Sequence, residues 1–137
     1  MTDDDAALVR AAEAVRANAH APYSRLKVGA ALRAEDGRLY VGANVENASY
    51  PEGLCAEAAA IAAMVAAGAR RIAALAIVID GPAPAPPCGG CRQRIAEFAE
   101  AGTPILLATT GGARRTVTLG ELLPLAFGTG NLPGGTP

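Results

Sequence analysis

The chain of 137 residues has no tryptophan, three tyrosines and two phenylalanines, so large rings are too few to dominate its core and each needs its own place. It has no strong excess of either charge. Lysine plus arginine (12) nearly balance aspartate plus glutamate (13), and no field of one sign draws it to nucleic acid or to an anionic membrane. It also lacks a long apolar run. The longest uncharged helical stretch, Ala58 to Ala69, is well short of the roughly 20 residues that cross a bilayer. The N-terminal Met-Thr-Asp-Asp-Asp is acidic where a secretory signal is basic and then apolar, so cytoplasm is the expected compartment. Cysteines stay reduced there. A small or neutral partner is the expectation, and the length fits one domain spanning residues 1–137.

What is present reads as alternating elements. Asp3 to Asp5 offer capping carboxylates for a helix reaching about His20. Val28 to Arg33 and Leu39 to Val45 form a hairpin around Glu35-Asp36-Gly37. An alanine-rich helix runs from Cys55 to Gly68, and the apolar Ile72 to Asp80 suits a strand buried on both faces. Four prolines between Gly81 and Pro87 exclude regular structure, and a third helix starts at the following cysteines and runs to about Glu100. Strands at Ile105 to Ala108 and Thr116 to Thr118, then a small helix ending near Leu125, precede a Gly/Pro-rich tail from about residue 128 that orders only against something else. The order α-β-β-α-β-α-β-β predicts an α/β fold, a mixed sheet with helices on both faces.

The three cysteines sit in two phrases, Leu54-Cys55-Ala56-Glu57 and Pro87-Cys88-Gly89-Gly90-Cys91-Arg92-Gln93. Cys88 and Cys91, three apart at a helix start, can reach one ion from a single turn. Cys55 and Glu57 are separated by about 200° inside a regular helix, so both serve one ion only if Cys55 sits in the irregular lead-in. Three thiolates on Zn²⁺ leave one position for water, the arrangement of a catalytic rather than a structural site. They also leave a net charge of about −1, which two helix N-termini and Arg92 are available to offset. Glu57 is then the proton shuttle. Other readings stay open on these residues alone: a redox dithiol of Cys88 and Cys91, or a structural zinc with His20 as fourth ligand in a non-enzymatic binding module.

Cys55-Ala56-Glu57 with Pro87-Cys88-Gly89-Gly90-Cys91 resembles the signature of the cytidine deaminase superfamily, with cysteine in place of its first histidine. Tyr23-Ser24, Val28-Gly29-Ala30-Ala31-Leu32, Asn44-Val45-Glu46-Asn47-Ala48-Ser49-Tyr50-Pro51, Cys91-Arg92-Gln93, and Glu121-Leu122-Leu123-Pro124 with Phe127-Gly128 are similar to the small deaminases of free nucleosides. The resemblance covers about residues 20 to 128. It implies a three-layer α/β/α fold on a mixed five-stranded sheet, one zinc per subunit held by Cys55, Cys88 and Cys91, and hydrolysis of cytidine or deoxycytidine to the uridine product plus ammonia, in pyrimidine salvage. It further implies that Glu57 protonates N3 of the base and then the leaving amino group, and that the Ala56 amide binds the base carbonyl. Asn44 and Glu46 match positions that hold the ribose 3′-hydroxyl, and Ala48 and Tyr50 match positions that enclose the sugar. The homotetramer of the family would bring Phe127 from a neighbouring subunit onto the base.

Two departures stand out. Leu26 occupies a position beside the base that is usually phenylalanine, losing a ring contact worth about 0.5–1.5 kcal/mol. Ala58 stands where many members carry an arginine that hydrogen-bonds the thiolates, so the charge offset must come from elsewhere. A blasticidin-type deaminase shares the metal phrases but not the reason for an Asn44 and Glu46 pair, and deaminases of polynucleotides would need a basic stripe that this chain lacks.

Overall fold

The computed structural model describes residues 2–135. Helix α1 spans Asp3–Arg16 and opens on a capping box, in which the Thr2 hydroxyl accepts from the Asp5 N–H and the Asp5 carboxylate accepts from the Thr2 N–H. Strands β1 (Val28–Ala34) and β2 (Leu39–Ala43) form the expected hairpin, α2 spans Ala56–Ala66, and β3 spans Ile72–Ile79. Helix α3 (Gly89–Phe98), strands β4 (Pro104–Thr109) and β5 (Arg114–Thr118), and the short α4 (Leu119–Leu122) complete the main elements.

The five strands lie in the order β2-β1-β3-β4-β5. Only β3 and β4 run parallel, joined by α3, while every other neighbouring pair is antiparallel. The sheet is mixed and five-stranded, as the family resemblance implied.

Both faces of the sheet are covered, which is why β3 reads as an almost unbroken apolar run. On one face Leu8, Val9 and Ala12 of α1 pack on Ala31, Ala74, Ala76, Val78, Leu106 and Ala108. The other face carries the bulkier Leu32, Leu75, Ile77, Ile105 and Leu107, which meet Ile61 and Met64 of α2 and Ile95 of α3. Two glycines let helices approach the sheet. A Cβ on Gly29 would lie 2.8 Å from the Arg16 Cβ, and one on Gly42 would lie 2.5 Å from the Ala56 carbonyl oxygen and 2.8 Å from the Ala59 Cβ. Gly42 therefore fixes how closely α2, and the residues at its start, sit on β2.

Two boundaries differ from the sequence expectation. Helix α1 ends at Arg16 rather than near His20, because the His20 N–H donates to the Asn44 carbonyl (3.0 Å) and the His20 carbonyl accepts from Glu46 N–H (2.8 Å). Strand β2 stops at Ala43 rather than Val45, since Val45 pairs instead with Leu54. Beyond the small helix, Thr129–Asn131 form one 3₁₀ turn, and the Phe127 carbonyl accepts from Gln93 Nε2 at 3.0 Å, so this part of the tail rests on α3.

Candidate active site

Cys55 and Cys88 occupy equivalent places: each is the extended N-cap of a helix, Cys55 of α2 and Cys88 of α3. Cys55 thus lies in the irregular lead-in that the spacing to Glu57 demanded. Both sulfurs therefore sit at helix starts, where they can converge on one point. Together with Cys91, one turn into α3, they form a cluster whose sulfurs all lie within 4.8 Å of one another. Tetrahedral zinc with bonds of about 2.3 Å separates its sulfurs by about 3.8 Å, so the donor set and its spacing fit zinc. His20 is not in the cluster. With no His20 ring nitrogen among the clustered donors, the structural-zinc reading lacks its fourth ligand, and the His20 backbone is tied instead to Asn44 and Glu46.

The electrostatics of the cluster follow from burial. Desolvation raises the thiol pKa values of Cys55 and Cys91, whereas the Cys91 backbone N–H at the start of α3 lowers that of Cys88. Glu57 is 5% exposed, and burial pushes its carboxyl pKa upward, with Cys91 and Arg94 pulling it back. A carboxyl placed this way holds a proton more readily than one in water, which suits a shuttle.

Cys55 and Cys88 of the cluster open onto a cavity of about 710 Å³, with Cys91 buried behind them. Cys55, Ala56, Glu57 and Cys88 line it with Leu26, Asn44, Glu46 and Tyr50, so eight of the residues singled out in the sequence meet in one place. Val28, Ile77 and Ile79 add apolar wall. Ala56 is the first residue of α2, where a backbone N–H has no partner within the helix. Tyr23 and Tyr50 meet edge to face at the rim, ring centres 5.9 Å apart. Ala48 and Phe127 do not line this cavity. Phe127 is 59% exposed and borders a separate depression beside α3.

Asn44 and Glu46 do more than face the cavity. Asn44 Oδ1 accepts from the Val28 N–H and its Nδ2 donates to the Leu26 carbonyl, both at 2.8 Å. Glu46 Oε1 accepts from the N–H groups of Tyr23 (2.9 Å) and Ser24 (3.1 Å), while Oε2 accepts from the Ser24 hydroxyl. These bonds lower the Glu46 pKa, the Ser24 hydroxyl contributing most. They also hold Arg25 at φ 62°, a left-handed conformation that non-glycine residues rarely adopt. The sequence marked Asn44 and Glu46 as ligand-facing but not as clamps on the loop that carries Leu26.

Arginine use differs from expectation too. Arg92 turns away from the sulfurs, its Nε donating to the Pro87 carbonyl and its Nη1 to the Leu122 carbonyl, both at 2.8 Å. Arg94 is the one that meets a thiol, with Nη1 3.7 Å from Cys91 Sγ. The signal was its spacing, three residues after Cys91 on one helix.

Comparison with known proteins agrees with this geometry. The sequence profile of the cytidine and deoxycytidylate deaminase zinc-binding region matches residues 2–106. The chain belongs to that family. It is 45% identical over 120 residues to the cytidine deaminase of Halalkalibacterium halodurans, covering 88% of this chain and 91% of that one. The Mycobacterium tuberculosis cytidine deaminase is 45% identical over 117 residues, 85% of this chain and 84% of the relative. Among solved structures, the cytidine deaminase of Burkholderia pseudomallei superimposes with a TM-score of 0.86 at 45% identity, covering 93% of this chain and all of that one. Family membership accounts for the three-sulfur cluster as a zinc site and leaves the redox-dithiol reading without support. Among the described residues, no helix is long and apolar enough to cross a membrane.

Proposed function

We infer that this protein catalyses the zinc-dependent hydrolysis of cytidine to uridine and ammonia. The observation that carries the reading is three cysteine sulfurs within 4.8 Å of one another beside a buried glutamate and a cavity, in a chain of this family. Cys55, Cys88 and Cys91 hold the metal. When bound, zinc supplies Lewis-acid activation of water.

The side chains around it divide the remaining work. Glu57 accepts a proton from the attacking water and passes it to N3 of the base, then takes the remaining proton from the new C4 hydroxyl and delivers it to the departing amino group, so that one water enters and one ammonia leaves. Its burial favours the protonated form it needs for delivery. The Ala56 N–H binds the base carbonyl. Asn44 and Glu46 bind the ribose 3′-hydroxyl: Asn44 keeps one N–H beyond its bond to Leu26, and a carboxylate has acceptor sites beyond those Tyr23 and Ser24 occupy. Leu26 packs on the base, and Tyr50 and Ala48 enclose the sugar. Deoxycytidine is a substrate on the same grounds, because no role here requires the 2′-hydroxyl.

We further propose that residues 1–137 act as one catalytic unit within a cytoplasmic homotetramer serving pyrimidine salvage. Phe127 supports the tetramer, since an exposed ring outside its own chain's cavity is free to cover a neighbour's. Near-neutral charge gives no reason to expect nucleic acid as substrate.

The test is Glu57→Gln. The variant should retain about one zinc per chain by elemental analysis and lose about 10²–10⁴-fold in cytidine turnover, followed by the fall in absorbance as uridine forms. Undiminished turnover would overturn the role of Glu57, and a wild-type protein that holds zinc yet leaves cytidine unchanged would overturn the function.

A further inference from the structure

Three thiolates on one dication leave an anionic site, and Glu57 adds to it whenever its carboxyl is ionised. Something must offset that charge. The N-termini of α2 and α3, each worth roughly half a positive charge, do part of it. Position 58 offers nothing, being alanine, and Arg92 spends its guanidinium on the Pro87 and Leu122 carbonyls. Arg94 is placed differently. It lies one turn beyond Cys91 on α3, and its Nη1 reaches to 3.7 Å from the Cys91 sulfur, within hydrogen-bonding range of a sulfur acceptor. The guanidinium passes over Gly90, where a Cβ would touch Nη1 at 3.4 Å, an ordinary contact. The guanidinium therefore runs back over the first turn of its own helix to the buried side of the metal cluster.

We propose that Arg94 is the positioning residue of the metal centre, donating to the Cys91 sulfur and supplying the cation that balances the three thiolates. The proposal rests on the reading of Cys55, Cys88 and Cys91 as the zinc ligands. Its physical basis is geometric: a guanidinium held 3.7 Å from the Cys91 sulfur places a cation beside the three thiolates that a bound zinc gathers, and a charge-assisted bond to that sulfur favours the loaded site. It also fixes the direction in which Cys91 presents its sulfur, since a planar guanidinium on a packed helix holds its partner in one orientation. Glu57 feels the same cation, which opposes the effect of burial on its carboxyl.

The experiment compares wild type with Arg94→Gln and Arg94→Lys. Zinc affinity is measured by competition with a chromogenic chelator, and kcat and KM for cytidine are measured at saturating zinc. Arg94→Gln should bind zinc about 10–100-fold more weakly and lose a similar factor in kcat, with KM little changed. Arg94→Lys should recover part of the affinity, because it keeps the charge and loses the fork. Zinc affinity and kcat of wild-type value in Arg94→Gln would overturn the proposal. Equal loss of thermal stability with and without chelator, at unchanged zinc affinity, would overturn it too by making Arg94 a structural strut. If Arg94→Gln does not fold, Arg94→Lys decides: affinity between one-half and one-tenth of wild type supports the proposal, and undiminished affinity sinks it. A wild-type protein that takes up no zinc would instead defeat the ligand assignment itself, a distinct result.

Discussion

Replacing Gly42 with alanine adds one methyl group to the contact between β2 and α2. That methyl would sit 2.5 Å from the Ala56 carbonyl oxygen and 2.8 Å from the Ala59 Cβ, whereas ordinary contact begins near 3.4 Å. The obstacle is backbone, which has no rotamer to escape into, so the start of α2 must retreat by about 1 Å. Overpacking of a close contact costs about 1–3 kcal/mol. For a chain of this size, that is a fall in melting temperature of about 4–12 °C. The catalytic effect should be larger, because Cys55, Ala56 and Glu57 ride on the displaced end while Cys88 and Cys91 stay with α3. A shift of that size between catalytic groups costs about 10²-fold in rate. Thermal unfolding and cytidine turnover of zinc-loaded protein measure the two effects. Gly102→Ala is the control, since nothing lies within 4 Å of a Cβ there, and it should change stability by no more than about 0.5 kcal/mol. Wild-type turnover in Gly42→Ala would refute the claim that this contact sets the position of Glu57.

Two further outcomes follow from the loop over the cavity. Glu46 has a folded pKa below its ordinary value, so its contribution to loop stability is present above about pH 4.5 and is lost as pH falls through the depressed value. In an NMR titration the Glu46 carboxyl and the Tyr23 and Ser24 amides should shift together at a pH below that of a free glutamate; independent midpoints would contradict the clamp. Leu26→Phe should restore a ring beside the base and lower KM for cytidine about 2–10-fold, the equivalent of 0.5–1.5 kcal/mol, while an unchanged KM would show that position 26 does not touch the base.

Much of this arrangement is legible in the sequence. The alternation of elements, the burial of β3 on both faces and the meeting of two cysteine phrases at helix starts all follow from local pattern. What escaped was non-local. His20 reads as the end of a helix because nothing nearby says that its backbone will pair with Asn44 and Glu46 across more than twenty residues. Asn44 and Glu46 read as ligand-facing groups, and their second job depends on a loop brought to them by the hairpin. Arg92 looked like the charge partner by adjacency to Cys91, yet neighbours in a helix point about 100° apart, and Arg94 shares the face instead. Ala48 and Phe127 stay outside the cavity, and no local pattern within one chain says what they meet.

The double duty of Asn44 has a consequence for how this enzyme could change its substrate. Its amide grips the loop that bears Leu26 where it enters β1, through the Leu26 carbonyl and the Val28 N–H. With the sugar contact proposed for Asn44, a mutation there would disturb sugar and base recognition in a single step, a pleiotropy that closes most evolutionary routes through that position. Leu26 contributes only its backbone to the clamp. Its side chain is a free variable, open to drift or to engineering toward modified bases, while the amide behind it keeps the frame in register.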